Sequence, residues 1–139
     1  MLLRQGGTLL CRRAADRSWY PGVWDLAGGH VEAGESPTAA LVRELAEELA
    51  IVVEEPAGPE LARITTSDFD MRVWLVDRWT GDVVNASPGE QAEVRWFAAD
   101  ELAGLDLAHD SYLALLTATL AGRTAAVSDC ADHRPGTVG

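Results

Sequence analysis

Residues 29 to 51 constrain this chain more than any other stretch. Ser36 is a residue type that caps helix N-termini, and Pro37 suits the first helical position, where its missing N–H costs nothing. Leu41, Leu45 and Leu49 then repeat at the spacing of a buried stripe, which predicts a helix over 37–49. At about 100° per residue, with Leu41 at zero, Leu45 falls at about 40° and Leu49 at about 80°. On the same wheel Glu48 falls at about 340°, Glu44 at about 300°, Glu47 at about 240° and Arg43 at about 200°. Three carboxylates therefore share one helix face beside the apolar stripe. Their repulsion is unfavourable unless a cation offsets it, and Arg43 offsets only part. Carboxylates with water suit a hard divalent ion such as Mg²⁺, which takes few protein ligands and completes its shell with substrate phosphates. The same spacing also describes a plain solvated acidic face. Against that stands the loop ahead of the helix, where Gly28, Gly29 and Gly34 bring Glu35 and backbone carbonyls towards the helix start.

Composition bounds the rest. The 139 residues carry 11 Lys plus Arg against 22 Asp plus Glu, a formal charge of −11. That length suits one domain and buries a core without help from disulfide or metal. Hydrophobic content of 47% and charged content of 24% are those of globular chains, not disordered ones. The acid excess argues against a nucleic acid polymer as partner, because phosphates need a basic face, and against anionic membrane. Cys11 and Cys130 make neither a disulfide framework nor a metal-ligand spacing, and Cys11, in the apolar run Thr8–Cys11, is expected to be a buried thiol. No apolar stretch approaches the ~20 residues that span a bilayer. The first residues break off too soon for a signal segment. The expected class is a soluble, cytoplasmic, single globular domain.

Along the chain, Met1–Arg4 and Thr8–Arg12 read as a hairpin around Gln5-Gly6-Gly7. Its first run is short, which raises the question of residues lost ahead of Met1. A loop over 14–22 ends in the turn signal Tyr20-Pro21-Gly22. Val23–Ala27, Ala62–Thr66, Met71–Trp79 and Glu93–Phe97 read as strands, Ile51–Val53 as a short extended run, Asp100-Glu101-Leu102 as a short helix start, and Ser111–Ala121 as a second helix capped by Asp110 or Ser111. From Gly122 to Gly139 no apolar period remains, so that segment is expected to be a flexible tail behind a domain over 1–121. Helices among a majority of strands imply an α/β sandwich.

The positions Gly29, Glu35, Arg43-Glu44-Leu45, Glu47-Glu48 and Ile51 resemble the box of the Nudix hydrolases: Gly, five residues, Glu, seven residues, Arg-Glu, an aliphatic residue, any residue, Glu-Glu, any residue, Gly, an aliphatic residue. Every spacing matches. The one departure is Ala50 in place of Gly, a change that strains a positive-φ position. Outside the box, Cys11–Asp16 is similar to the start of MutT-type enzymes, and Trp24–Gly29 to the family's Trp-x-x-Pro-Gly-Gly entry, with Ala27 for Pro. Pro88-Gly89-Glu90 and Trp96-Phe97 stand where the family often has a post-box Glu and an aromatic. The resemblance implies an α/β/α sandwich with a mixed β-sheet between helices.

It also implies Mg²⁺-dependent hydrolysis, with Mn²⁺ as substitute, of a nucleoside diphosphate linked to another group. Water attacks a phosphoryl centre, a reaction that needs positioning and charge neutralisation more than covalent chemistry. Carried over by position, Glu44, Glu47 and Glu48 are metal ligands and supply the general base, with no one of them singled out. Arg43 orients Glu44 and pairs with the supporting Glu35. The Gly29 carbonyl adds a metal contact, and Glu90 is a further metal carboxylate, with Glu93 as its rival. By resemblance to MutT, Arg13 contacts phosphate, and Asp25, His109 and Asp110 meet a purine edge. Asp110 equally fits a plain N-cap, and Arg13 a strand-end surface residue. Of the five Trp, Trp74, Trp79 and Trp96 read as core or sheet-face residues, and Trp19 or Trp24 is left to stack a base. The leading expectation is a nucleotide pyrophosphohydrolase that converts a (d)NTP, such as an oxidised purine nucleotide, to nucleoside monophosphate and pyrophosphate. Two others stand beside it: a pyrophosphatase for ADP-ribose or a dinucleotide, and a ligand sensor without turnover. Relatives often dimerise, so a homodimer is the assembly to test for.

Overall fold

The computed structural model describes residues 1–131, with side chains up to 122. A four-stranded sheet is its centre. Strand β1 (Leu3–Arg4), β2 (Gly7–Arg13), β3 (Trp24–Asp25) and β6 (Gln91–Ala98) pair antiparallel, with β2 in contact with the other three. The first hairpin has the expected register, Leu3 opposite Thr8 and Arg4 opposite Gly7, and of its glycines only Gly6 takes a positive φ, +79°. Parallel bridges at Leu2–Val76 and Trp24–Leu107 make the pairing mixed. A separate hairpin joins β4 (Ala62–Thr65) to β5 (Asp70–Val73).

The sheet is packed on both faces, and the alternation of β2 shows how. Leu9 and Cys11 point to one side, among Leu45 and Leu49 of helix α1 (Pro37–Leu49), with Ile51 and Val76. Leu10 points to the other, among Tyr112, Leu116 and Leu120 of helix α2 (Ser111–Ala131), with Trp24 and Phe97. Successive side chains of a strand face opposite ways, so one strand serves both cores. The expected α/β/α sandwich is therefore what the packing gives. Cys11 is buried and free, and burial pushes its thiol pKa up, as expected of a core thiol.

Several elements differ from their sequence expectation. The run Met71–Trp79 is a regular strand only up to Val73. Beyond it the chain changes partner, bridging Leu2 at Val76 and Val52 at Thr80, so no continuous ladder forms. The short helix after β6 is a 3₁₀ turn over Ala99–Gly104. Helix α2 continues to Ala131, ten residues past the expected end, through a segment whose alanines favour helix. The tail expected over 122–139 lies, from 132 onward, outside the described residues. Among the described residues no helix is long and apolar enough to cross a membrane.

Candidate active site

Helix α1 begins as the sequence dictates. Ser36 is extended (φ −76°, ψ 155°) and its Oγ accepts the Ala39 N–H at 3.2 Å. It ends at Ala50, which takes the left-handed conformation with φ +57° and ψ 32°. The positive φ expected at the family's Gly position is present, with an alanine in it.

Exposure of the three helix glutamates follows their angular distance from the leucine stripe. Glu48, nearest to it, is 8% exposed. The Glu44 side chain is 15% exposed and that of Glu47 57%. Arg43 gathers the face together. Its Nε and Nη2 hold Glu35 in a two-pronged pair at 2.8 and 2.9 Å, and Nη1 reaches Glu44 at 2.9 Å and Glu47 at 3.2 Å. Nη2 also donates to the His30 carbonyl at 3.0 Å, which ties the glycine loop to the helix. Glu35, hydrogen-bonded by Arg43, has its pKa lowered to about 2. The pairing of Arg43 with Glu35 and Glu44 expected from the sequence is thus geometrically present.

Glu48 lies outside this network. The Gly28 N–H donates to its Oε2 at 2.9 Å, and Gly28 needs φ +143° to aim it. Burial pushes the Glu48 pKa up to about 7; Glu44, Glu90 and Asp25 add to the rise, and the Gly28 hydrogen bond opposes it. Gly29 lies against the Glu44 carboxylate. A Cβ there would meet the Glu44 carboxylate at 2.4–2.6 Å, so a larger residue would push that side chain out of its present position. Glu90 acts on Glu48 electrostatically, but its side chain is 59% exposed and its nearest cation is Arg17, at 3.9 Å. Its rival Glu93 faces Arg12 at 3.4 Å.

The residues expected to contact substrate divide. Arg13 Nη1 lies 3.9 Å from Asp25 Oδ2, and its Nε donates to the Trp19 carbonyl at 2.9 Å. Asp25 Oδ1 accepts the Tyr112 hydroxyl at 2.9 Å and the Leu26 N–H at 2.8 Å. Burial raises the Asp25 pKa, against the pull of those two bonds and of Arg13. His109 comes beside Tyr112, with ring centroids 5.9 Å apart. Its Nδ1 accepts the Ser111 N–H at 3.0 Å, so His109 satisfies the start of α2. Asp110 makes no side-chain hydrogen bond among the described residues and the Ser111 Oγ lies 2.8 Å from His109 Nδ1, so in place of the expected Asp110 or Ser111 cap the imidazole takes the Ser111 N–H. Trp24 is core, edge-to-face with Phe97 at 4.8 Å, whereas Trp19 is half exposed. Sequence reasoning missed Tyr112, whose spacing with Leu116 and Leu120 marks it only as a core position. Cavities of about 510 Å³ (Pro59, Leu61, Trp74) and 290 Å³ (Val83, Asn85, Trp96) contain no box residue in their walls.

The NUDIX domain family model matches residues 1–117. The chain belongs to the NUDIX family. It is 30% identical to the MutT NUDIX hydrolase of Burkholderia pseudomallei, with a TM-score of 0.70 over 82% of this chain and 89% of that one. The E. coli ORF135 protein is 31% identical, with a TM-score of 0.66 over 89% and 86% of the two chains. The nucleoside triphosphatase NudI of Enterobacter sp. strain 638 is 47% identical over 49 residues, 35% of each chain. The match thus spans about a third of the length of the curated relatives. Nudix hydrolases generally use divalent metals, and the acid face of α1 offers the carboxylate donors that a hard divalent ion takes. The Glu44 carboxylate rests against a backbone cleared of its Cβ, and Glu48 is surrounded by acids rather than by a countercharge. Among the described residues no three such side chains form a ready-made metal cage.

Proposed function

We propose that this protein is a Mg²⁺-dependent nucleotide pyrophosphohydrolase that converts a nucleoside triphosphate to its monophosphate and pyrophosphate. The observation that carries the reading is the acid face of α1: Glu44 and Glu47 held by one guanidinium, and Glu48 buried beside them with its pKa pushed up to about 7. A triphosphate is the foremost substrate because MutT- and NudI-like proteins stand among its relatives.

In this reading Glu44, Glu47 and Glu48 hold the metal, joined by the Gly29 carbonyl and Glu90. Bound there, Mg²⁺ supplies charge neutralisation for phosphate oxygens and a lowered pKa for water. The protein's own part is orientation. Arg43 fixes the Glu44 and Glu47 carboxylates from one side and Glu35 anchors Arg43 from the other. Glu48 is fixed by the Gly28 N–H, and its carboxylate, with a pKa pushed up to about 7 in the absence of metal, is held in place as a ligand. Arg13 contacts phosphate, and Asp25, His109 and Asp110 face the nucleoside end.

The deciding experiment is a panel of nucleoside triphosphates, oxidised purine triphosphates, dinucleotides and ADP-ribose, with Mg²⁺ or Mn²⁺ and with chelator. Monophosphate plus pyrophosphate from a triphosphate, abolished by chelator, is the expected result. Tight binding without turnover on any member overturns the enzyme reading in favour of a sensor. Cleavage of ADP-ribose alone overturns the triphosphate reading.

A further inference from the structure

Helix α1 closes on Ala50, and its last carbonyls are satisfied from far along the chain. The Ala50 N–H returns to the Ala46 carbonyl at 3.1 Å. The carbonyls of Glu47, Glu48 and Leu49 lie past the reach of donors in the helix, as the last carbonyls of any helix do. One segment serves all of them. The Ser87 hydroxyl donates to Glu47 at 3.2 Å, the Ala86 N–H to Glu48 at 2.9 Å and the Val84 N–H to Leu49 at 3.1 Å. Two of those carbonyls belong to glutamates of the acid face. The segment over 84–87 is thus fastened to the backbone that presents them.

The same segment leads directly into Glu90, and Asn85 closes the turn between them. Asn85 Oδ1 accepts the Ser87 N–H at 3.2 Å, and its Nδ2 donates to the Gln91 carbonyl at 2.8 Å. An Asn side chain closes turns in this way by bonding backbone two residues on. The Ser87 carbonyl accepts the N–H groups of Glu90 and Gln91, each at 3.0 Å, and the Glu90 carbonyl accepts the Ala14 N–H at 3.0 Å. Gln91 begins β6 and is 6% exposed, so one end of the staple is set in the core. The Glu90 backbone is therefore fixed at both its N–H and its carbonyl, while its carboxylate, 59% exposed, stays free to adjust. Glu90 also bears on Glu48 through charge. A side-chain amide suits the task, because it offers one acceptor and one donor and brings no charge beside the acids.

We infer that Asn85 is a positioning residue, which staples the 84–91 turn so that Glu90 is held beside the acid face of α1, and which through Glu90 sets how tightly that face takes a divalent ion. This rests on the reading of the acid face as a metal site and adds to it a residue from outside the box.

The test is Mn²⁺ binding to the full chain without nucleotide, followed by electron paramagnetic resonance of the free ion. Asn85→Ala removes both bonds of the staple and should weaken Mn²⁺ binding about ten-fold, the size usual for a group that orients a metal ligand. Glu90→Gln should weaken it at least as much. Adding Asn85→Ala to Glu90→Gln should cost nothing further, because the staple acts through Glu90. In turnover of a nucleoside triphosphate, Asn85→Ala should raise the half-saturating Mg²⁺ and leave kcat at saturating Mg²⁺ much less changed. If Asn85→Ala does not fold, Asn85→Ser decides: it keeps an acceptor for the Ser87 N–H, loses the bond to Gln91 and should show the same coupling to Glu90→Gln. Unchanged Mn²⁺ affinity, or losses that multiply in the double variant, overturn this inference alone. Coupled losses in a protein that hydrolyses no nucleotide overturn the hydrolase reading alone. A wild type that takes up no Mn²⁺ overturns both.

Discussion

Two clusters of charge, the acid face of α1 and the group around Asp25 on β3, are built in opposite ways. The acid face of α1 is local. Glu35, Arg43, Glu44 and Glu47 come from one loop and one helix, and a single guanidinium links them. The Asp25 cluster is assembled from afar, with Tyr112 reaching it from 87 residues along the chain. The first is open to solvent on one side and rich in competing charge. The second is anchored in the core, with one oxygen left free. One cluster is held by a single cation shared among several acids, whereas the other is fixed by one hydrogen bond from the core.

The strongest way to break this comparison is to neutralise the local cluster. Glu47→Gln and Glu48→Gln should each lower Mg²⁺-dependent kcat by at least about a hundred-fold, because lost charge at a metal-assisted phosphoryl site acts on the transition state. Near wild-type turnover in steady-state assays of either would falsify the assignment of the acid face. Arg43→Lys should follow with a loss of about ten-fold or more in kcat, since an ammonium cannot reproduce the two-pronged hold on Glu35 while also reaching Glu44. If Lys restored full kcat, positive charge alone would suffice at this position.

Stability against pH sharpens the same contrast. Glu48 has a folded pKa of about 7 against 4.5 as its ordinary value. Between those values the folded state binds the extra proton, so stability falls as pH rises through the window. The loss is bounded at about 3 kcal/mol by the size of the shift. Urea denaturation without metal should show this slope, and Glu48→Gln should reduce it, leaving the smaller same-sign contribution of Asp25, whose pKa burial also raises. Divalent cation, which binds the ionised form, should flatten it as well. A flat wild-type profile from pH 4.5 to 7 without metal would show that Glu48 is not desolvated.

The smallest effect is expected at the helix end. Ala50 sits at φ +57°, a region that disfavours every residue with a Cβ. Ala50→Gly should stabilise the protein by about 1 kcal/mol and leave KM unchanged. Calorimetric melting would detect it, and a lower melting temperature would mean that the alanine methyl contributes packing.

Much of this was legible in the sequence. The cap at Ser36, the proline after it and the leucine spacing place α1 to the residue. The wheel angles of Glu48, Glu44 and Glu47 give the order of their burial. The glycine hairpin and the strands β4 and β6 also came through, with ends off by a residue or two. The run from Met71 to Trp79 did not, because its composition reports β propensity and not that the chain changes partner after Val73. Nor did the cap of α2, since Asp110 has the right side chain for the task and His109 has the right position.

The sequence alone determined the acid face, its arginine and the helix that presents them, because all follow from a repeat of 3.6 residues acting within one turn or two. Only the tertiary structure decided what Glu48 and Asp25 become. One is pushed up to about 7 by burial among Glu44, Glu90 and Asp25, and the other is tethered by a tyrosine from the opposite face of the sheet. Those outcomes depend on which surfaces pack together and how much water is left between them, and no local spacing encodes that.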